Sequence, residues 1–191
     1  VREGRNHEAV QLLARLSGLL RTTLDSSTVE EISLRQEMEF NERYVEIQKM
    51  RFADRLTVVT DVTAEALEAR VPNLLLQPLV ENAIKYGADG GTVTIRLSGP
   101  APEVALRQAG VRLSVHDEGE GIPVHHIARL TERFYRVDSH RSREVGGTGL
   151  GLAIVKHIIN RHRGRLRIES NQGQGTVFTA ILPVGAISPA Q

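Results

Sequence analysis

Apolar residues recur at helical spacing along the N-terminal part of the chain. The first set comprises Val10, Leu13, Leu16, Leu20 and Leu24. This spacing predicts an amphipathic helix from Asn6, a plausible N-cap, to about Leu24. A polar turn at 25–28 follows, and a second periodic set predicts another helix from about Val29 to Arg51.

Two helices joined by a short turn form an antiparallel hairpin. The apolar stripe of the second helix is too wide for one partner, which favours a second copy of the chain completing a four-helix bundle. The alternative is that the helices pack on the remainder of the chain, because the width of a stripe does not identify its partner.

Beyond residue 55, segments of alternating apolar and polar residues predict strands. They lie at 56–61, 92–97, 111–115, 165–170 and 176–182, with a hairpin between the last two and a loop at 99–102. Helical patterns lie at 79–87 and 152–159. Since these elements show no regular βαβ alternation, we expect an α+β sandwich in which helices cover one face of a mixed sheet.

Two glycine clusters, at 117–121 and 146–152, mark the region of greatest chemical interest. Glycine lets a backbone approach a ligand closely, so two clusters suggest two walls of one phosphate-containing pocket. The first cluster begins with Asp117 at a strand end. The second opens into an apolar helix, whose N-terminus favours an anion. The alternative is a pair of tight turns, since neither cluster has the Walker A or dinucleotide pattern.

Composition narrows the functional classes. The chain has 191 residues, a net charge of +1 and no cysteine. The low charge argues against a dedicated nucleic-acid binder, and the lack of cysteine excludes disulfides and thiolate metal sites. No apolar run is long enough to span a bilayer, so we expect a cytoplasmic protein with any membrane anchor in missing upstream segments.

Four motifs in order carry a resemblance to a known family. They are Asn-Ala-Ile-Lys-Tyr at 82–86, Asp-x-Gly-x-Gly at 117–121, Arg-Phe-Tyr-Arg at 133–136 and Gly-Thr-Gly-Leu-Gly-Leu at 147–152. This series resembles the N, G1, F and G2 boxes of the histidine-kinase catalytic domain, part of the GHKL ATPase family. The resemblance covers roughly the last two-thirds of the chain. It implies a Bergerat-type ATP-binding α/β sandwich preceded by the helical hairpin, with ATP and Mg²⁺ as cofactors.

Different segments of the sequence resemble two branches of that family. Segments 16–21, 44–52 and 71–82 are similar to LytS-like sensor kinases, whose phosphoacceptor histidine lies upstream in an Asn-Pro-His-Phe segment that is not found here. Segments 134–138 and 149–157 look more like PhoR-like kinases. The chain is therefore either a natural hybrid or two parents joined between Gly87 and Val111.

The resemblance assigns roles to residues of the N and G1 boxes. Asp117 would accept the adenine amino hydrogen, and Asn82 would offer a neutral oxygen to Mg²⁺. Lys85 would contact a phosphate as a point charge, and Tyr86 would pack near adenine or ribose. Each has a structural alternative: a strand-ending aspartate, a buried amide, a solvated lysine and a core aromatic. The remaining cofactor-binding candidates are Gly119, Gly121, Ile122, Phe134, Tyr135, Gly147, Thr148, Gly149, Leu150, Gly151, Leu152 and Thr176.

Residues 122–146, named here the lid segment, are expected to cover the nucleotide. Arg136 would contact the γ-phosphate, with Arg133, Arg141 and Arg143 as substitutes or solvated charges. Burial of Phe134 and Tyr135 would anchor the lid segment. Thr148 would cap the following helix and point its hydroxyl at phosphate, and Thr176 resembles the threonine that closes the adenine pocket.

Two residues bear on catalysis. Glu81 could assist proton transfer, whereas ATP-hydrolysing relatives keep their base at the position of Pro78; this indicates an enzyme that holds ATP for transfer. His7, at the start of the first predicted helix, is a weak phosphoacceptor candidate, because an acceptor should lie midway along a helix face.

These features predict a histidine-kinase core that transfers the γ-phosphoryl group of ATP to a histidine. A helical hairpin at 1–53 would mediate homodimerisation, residues 54–184 would bind ATP, and 185–191 would form a tail. The implied partner is a response-regulator receiver domain. The alternatives are a non-catalytic nucleotide-binding or dimerisation module and an anti-sigma-type serine kinase.

Overall fold

The computed structural model describes residues 30–52, 56–137 and 148–184. A five-stranded mixed sheet with helices packed on it forms the main body. The strands of the sheet are β2 (Thr57–Val62), β4 (Thr92–Glu103), β5 (Gln108–Asp117), β6 (Arg165–Ser170) and β7 (Thr176–Pro183), in the spatial order β2-β4-β5-β7-β6. Strands β2 and β4 run parallel, and every other neighbouring pair is antiparallel. The predicted α+β sandwich is confirmed.

Among the described residues, four α-helices accompany the sheet. They are α1 (Leu34–Phe52), α2 (Leu76–Tyr86), the single turn α3 (Val124–Ile127) and α4 (Gly151–Arg161). Apolar faces of α2 and α4 join the alternating apolar residues of β4, β5 and β7 in one hydrophobic core. Because side chains alternate between the faces of a strand, Val111, Leu113 and Val115 point into this core and so does Asp117. The candidate adenine-binding carboxylate therefore lies on the helix-covered face.

The second predicted helix begins later than expected. Residues Glu31–Ser33 form strand β1, which pairs with β3 (Arg70–Pro72), and a 3₁₀ turn spans Ala64–Glu68. Helix α1 starts at Leu34 because Ser33 and Gln36 form a capping box: the amide of Gln36 donates to Ser33 Oγ, and the amide of Ser33 donates to Gln36 Oε1. The prediction of a helix from Val29 was wrong at this end.

Helix α1 contributes Leu34, Met38, Tyr44 and Val45 to the same core as α2. At its start, Glu30 and Glu31 contact Arg161 and His162 at the end of α4, at 2.6 and 3.4 Å. The first predicted helix, Asn6 and His7 lie outside the described residues, as does the tail. The division into a dimerising hairpin and a catalytic domain stays a prediction.

Strand β4 is longer than predicted. It continues through residues 99–102, which were predicted as a loop, and pairs with β5 as far as Glu103 opposite Gln108. The register shifts between Ser98 and Ala101, so a bulge absorbs the glycine and prolines that suggested a loop. The other predicted strands and both C-terminal helices are present, with their ends shifted by a few residues.

The outer strand β6 alternates half-buried apolar residues with exposed charged ones. Leu166 and Ile168 pack against the core, whereas Arg165, Arg167 and Glu169 are exposed. Arg167 and Glu169 form an ion pair of 2.9 Å along the strand. Within the three described ranges, no helix combines the length and apolarity needed to cross a membrane.

Candidate nucleotide-binding site

Asp117 occupies the end of β5, where the sheet meets the C-terminus of α2. Its side chain is 2% exposed, and its Oδ1 accepts a hydrogen bond of 2.9 Å from the amide of Gly119. A Cβ on Gly119 would lie 2.3 Å from the carbonyl oxygen of Tyr86 and 2.8 Å from Asp117 Oδ1. Glycine at this position thus lets the G1 box approach the end of α2 and the carboxylate.

Strand β7 supplies the neighbouring wall. Thr176 lies opposite Asp117 in the antiparallel register, and its hydroxyl is 3.0 Å from Ser170 Oγ. Gly175 has a φ of +80°, and a Cβ on it would lie 1.8 Å from the carbonyl oxygen of Asp117. The loop before β7 therefore packs directly on the backbone of Asp117, and only glycine fits this contact.

Helix α2 carries the N box and spans the site lengthwise. The side-chain amide of Asn82 donates a 2.7 Å hydrogen bond to the carbonyl of Pro78, so its oxygen is the atom left to face a ligand. A Cβ on Gly151, at the start of α4, would lie 3.6 Å from Asn82 Nδ2. At the other end of α2, a Cβ on Gly87 would lie 3.5 Å from Asp117 Cβ. One helix therefore connects the G1 box with the G2 box.

The two candidate catalytic residues of α2, Glu81 and Lys85, contact each other. Lys85 Nζ and Glu81 Oε1 form an ion pair one helical turn apart, and both side chains are about one-third exposed. Tyr86, the last residue of the helix, is half-buried beside Gly119. Because both charged groups remain accessible, the lysine can exchange its carboxylate partner for another anion.

The G1 loop continues along the β6–β7 turn. A Cβ on Gly121, whose φ is +72°, would lie 2.1 Å from the carbonyl oxygen of Asn171. The amide of Ile122 donates a 2.7 Å hydrogen bond to Ser170 Oγ, which also contacts Thr176. Residues 119–122 are thus held by the hairpin that carries Thr176.

The described part of the lid segment is held by polar and aromatic contacts. Tyr135 Oη contacts His126 Nδ1, and the guanidinium carbon of Arg129 lies 4.2 Å from the centre of the Tyr135 ring. Desolvation, followed by the charges of His125 and Arg129, lowers the pKa of His126. Near neutral pH the ring is therefore uncharged, and its Nδ1 can accept the tyrosine hydroxyl hydrogen.

Phe134 does not anchor the lid segment by burial. Its side chain is 71% exposed, so the expectation of a buried ring was wrong. The backbone makes the contact instead: the amide of Phe134 donates a 3.0 Å hydrogen bond to the carbonyl of Gly149, and a Cβ on Gly149 would lie 2.8 Å from the carbonyl carbon of Phe134. The F and G2 boxes therefore meet through their backbones.

Thr148 does not cap α4. The N-cap position belongs to Leu150, two residues later, and Thr148 is exposed. Leu152 is buried in the core, so its side chain serves packing. Arg136 is half-buried near the end of the described lid residues, and Arg133 is exposed. Gly147, Arg141 and Arg143 lie outside the described residues.

Glu37 on α1 is a residue that motif reasoning missed. It is 1% exposed, and its Oε1 and Oε2 accept backbone hydrogen bonds from Leu76 and Leu74, at 2.7 and 3.0 Å. Burial raises its pKa to about 7, although these backbone donors act in the opposite direction. A signal was present in the sequence: a glutamate lies three residues after Leu34, on the helix face that also carries Met38 and Val45.

The arrangement fits a nucleotide. A buried carboxylate, Asp117, lies beside the C-terminal end of α2, and the side-chain amide of Asn82, on the same helix, lies beside the start of α4. A polar group at the base end and an open helix N-terminus beside an amide suit a base and its phosphates. Among the described residues, no cluster of three histidine or acidic side chains could hold a metal alone.

Comparison with known protein families matches both halves of the chain. The family described as histidine kinase-, DNA gyrase B-, and HSP90-like ATPase matches residues 68–186. A second family, described as histidine kinase, matches residues 1–56. The first match covers every residue of the nucleotide site discussed above except Glu37.

Curated relatives are sensor histidine kinases. The phosphate regulon sensor protein PhoR of Pseudomonas aeruginosa is 48% identical over 113 residues, 59% of this chain and 24% of that protein. Sensor histidine kinase WalK of Bacillus subtilis is 33% identical over 178 residues, 93% of this chain and 25% of WalK. The chain thus spans about a quarter of the length of these relatives.

Solved structures have the same fold. The mycobacterial sensor histidine kinase MprB superposes with a TM-score of 0.62 at 27% identity, covering 81% of this chain and 97% of that one. Full-length ShkA in complex with AMPPNP gives a TM-score of 0.65 at 21% identity, covering 98% of this chain and 38% of ShkA, and shows the fold alone. With four ordered boxes, a shared fold and a family match over most of its length, this chain belongs to the histidine kinase-, DNA gyrase B- and HSP90-like ATPases.

Proposed function

We propose that this chain is the catalytic part of a two-component sensor histidine kinase, binding ATP with Mg²⁺ and transferring the γ-phosphoryl group to a histidine. The observation that carries the proposal is that α2 packs its C-terminal end beside Asp117 and carries Asn82 beside the start of α4. The names of the relatives, a phosphate regulon sensor protein and a sensor histidine kinase, agree with this activity.

Asp117 recognises the base. A buried carboxylate accepts hydrogen bonds only, so it matches the exocyclic amino group of adenine and disfavours a carbonyl at that position. The Gly119 amide already holds one carboxylate oxygen, which fixes the orientation of the group. Thr176 closes this end of the pocket, because it is buried directly opposite Asp117.

Asn82 and the start of α4 face the phosphates. The Asn82 oxygen is a hard neutral ligand suited to Mg²⁺, which would neutralise phosphate charge when bound. The N-terminal amides of α4 add a positive dipole on the other side. Lys85 can leave Glu81 for a phosphate, and Glu81, released from the ion pair, can then accept a proton from the incoming histidine.

Arg136 completes the γ-phosphate environment from the lid segment. A planar guanidinium stabilises the charge that spreads over a transferring phosphoryl group. Tyr135, directly before it, is tied to His126 and Arg129, which holds this part of the segment in place. Phosphoryl transfer would pass to a histidine upstream and then to an aspartate of a response-regulator receiver domain, within a homodimer formed by the N-terminal helices.

Binding of the non-hydrolysable analogue AMPPNP tests the first half of the proposal. Wild type should bind AMPPNP with Mg²⁺, and Asp117→Asn should weaken binding about 10- to 100-fold, the loss expected for a hydrogen bond to a buried charged group. Isothermal titration calorimetry measures both. Asp61→Asn is the matched control, because Asp61 lies exposed on the outer strand β2, paired with Arg96. Equal affinities of the two variants would contradict the assignment of the pocket.

Phosphotransfer tests the second half. The chain, ATP and Mg²⁺ should label an acceptor-containing histidine-kinase fragment with an acid-labile phosphoryl group, and His7→Gln should not abolish this labelling. Binding of AMPPNP without any transfer would favour the non-catalytic module instead. An acid-stable phosphoserine product would favour the serine-kinase alternative.

A further inference from the structure

The first turn of α2 is held from a distant part of the chain. Glu37 on α1 accepts hydrogen bonds from the amides of Leu74 and Leu76, which lie 37 and 39 residues further on. The two carboxylate oxygens take one amide each, so the side chain bridges the residues on either side of the helix N-cap position, Leu75. A negative charge at this place also faces the positive end of the helix dipole.

This turn has no local cap. The residues that enter it are leucines, whose side chains offer no hydrogen bond, and Leu74 adopts a left-handed φ of +58°. Leu75 and Leu76 are fully buried, so water does not reach their backbone. A buried amide without a partner loses its hydrogen bond to water and gains nothing in return, which disfavours the folded state. The carboxylate of Glu37 therefore supplies the acceptors that the N-cap side chain of Leu75 lacks.

The held turn leads directly to the candidate metal ligand. Leu76 begins α2, Pro78 lies in its first turn, and the carbonyl of Pro78 accepts the side-chain amide of Asn82. Since a helix transmits displacement along its axis as a rigid element, the place of the first turn sets the place of Asn82. It also sets the gap between Asn82 and Gly151 at the start of α4.

The contact between α1 and α2 is polar at a cost. Burial raises the pKa of Glu37 to about 7, which shows that the ionised form is disfavoured here. One helical turn later, Asn41 is 1% exposed, and neither atom of its amide has a hydrogen-bond partner among the described residues. Apolar packing alone would avoid both costs, whereas the hydrogen bonds of Glu37 tie α1 to one place at the start of α2.

We propose that Glu37 is a positioning residue for the nucleotide site: from α1, its carboxylate fixes the first turn of α2 and thereby the place of Asn82 relative to α4. Any displacement of α1 then shifts Asn82 with α2, whereas Asp117 is held in the sheet by its pairing with β4 and β7. This inference rests on the proposed function, since Asn82 matters to it as a ligand of nucleotide-bound Mg²⁺.

The test compares AMPPNP affinity with Mg²⁺ and in EDTA, by calorimetry, for wild type and Glu37→Gln. Glutamine keeps the shape but turns an NH₂ group toward one of the two backbone amides. We expect the affinity gain from Mg²⁺ to fall about tenfold, while affinity in EDTA, which depends on Asp117, changes less than about twofold. Glu39→Gln is the matched control, because Glu39 is exposed on the same helix.

A double variant locates the effect. If Glu37 acts through Asn82, Glu37→Gln should cost little further Mg²⁺-dependent affinity in an Asn82→Ala background. Equal losses with Mg²⁺ and in EDTA, or additive losses in the double variant, would overturn the inference. They would show that Glu37 only stabilises the fold and does not act through Asn82. Wild type that binds no AMPPNP would instead refute the proposed function itself.

A folding defect does not end the test. If Glu37→Gln does not fold, Glu37→Asp is measured in the same way, because it keeps the charge but withdraws it by one methylene. Partial loss of the Mg²⁺ response in this variant supports the positioning role. An unchanged response, with a lowered melting temperature only, overturns it.

Discussion

The two sides of the candidate pocket are built differently. The base wall, formed by Asp117, Gly119, Gly175 and Thr176, belongs to the sheet, and both of its side chains are buried. The lid segment, as far as it is described, follows a single helical turn and exposes the large apolar side chains of Val124 and Phe134. The base wall is thus part of the protein core, whereas the described lid residues lie on the surface of that core.

This difference separates the side of the pocket suited to specificity for a base from the side suited to conformational change. Groups fixed by sheet register cannot move without breaking strand pairs, so the base wall is preorganised, as the proposed recognition of a base requires. The described lid residues contact the rest of the molecule through the partly buried Leu130, the hydrogen bond from Lys156 Nζ to Thr131 Oγ1 and the backbone bond from Phe134 to Gly149, among other contacts that can rearrange without breaking strand pairs. Binding of the base should therefore precede any rearrangement on the phosphate side.

The largest expected effect breaks the base wall. Gly175→Ala should destabilise the protein by about 3–5 kcal/mol or prevent folding, because a Cβ would overlap the carbonyl of Asp117 and the φ of +80° already disfavours alanine. Gly173→Ala is a matched control in the same turn, with φ +79° and nothing within 4 Å. Chemical denaturation measures the two, and similar losses would mean that close packing at Gly175 is unimportant.

A pH experiment sharpens the contrast at the start of α2. The raised pKa of Glu37 means that the folded state keeps a proton that the unfolded chain loses near pH 4.5. Stability from this proton is complete below about pH 4.5 and is lost as pH rises to about 7, by about 3 kcal/mol. Glu37→Gln lacks this titrating group, so the difference in unfolding free energy between wild type and variant should fall by this amount between pH 4.5 and pH 7, measured by chemical denaturation. A difference that does not change with pH would contradict it.

A smaller effect is expected where the lid segment meets the G2 box. Gly149→Ala should cost about 1–2 kcal/mol, because φ is +69° and the Cβ would press on the backbone of Phe134. The neighbouring chain can shift here, unlike at Gly175. Limited proteolysis should show faster cleavage near Phe134 than in Gly90→Ala, whose φ is +77° in open space. Equal cleavage would argue against the backbone contact.

The smallest effect concerns the exposed ring of Phe134. Phe134→Ala should change the free energy of unfolding by less than about 0.5 kcal/mol, since most of the side chain already contacts water. Thermal unfolding checks this directly. A loss of 2 kcal/mol or more, in the range for buried aromatics, would show that the ring is packed in solution.

The fold was predictable where side-chain periodicity and burial agree. Alternation placed β5 and β7, and helical spacing placed α2 and α4, because these faces meet one core. Periodicity failed at Glu31–Ser33, where pairing with β3 overrides helical spacing, and at 99–102, where a bulge accommodates residues typical of loops. In both places strand pairing with a distant segment determines the structure, and the local sequence pattern does not indicate that pairing.

The site was predictable from motif order but not from side-chain orientation. The four boxes identified the histidine-kinase family, which the family match confirms. They did not reveal that Phe134 meets Gly149 through its backbone or that Leu150 precedes α4. Glu37 escaped because its partners are backbone amides far along the chain. The LytS-like and PhoR-like division, and the roles of individual site residues, stay predictions.

The border strand β6 has a consequence for assembly. Its outward positions alternate Arg165, Arg167 and Glu169, two of them joined as an ion pair, so another strand could add there only by stripping water from these charges. A charged edge strand of this kind disfavours extension of the sheet by strands of other molecules. We therefore expect that β6 does not pair with a strand of another molecule, even at high protein concentration.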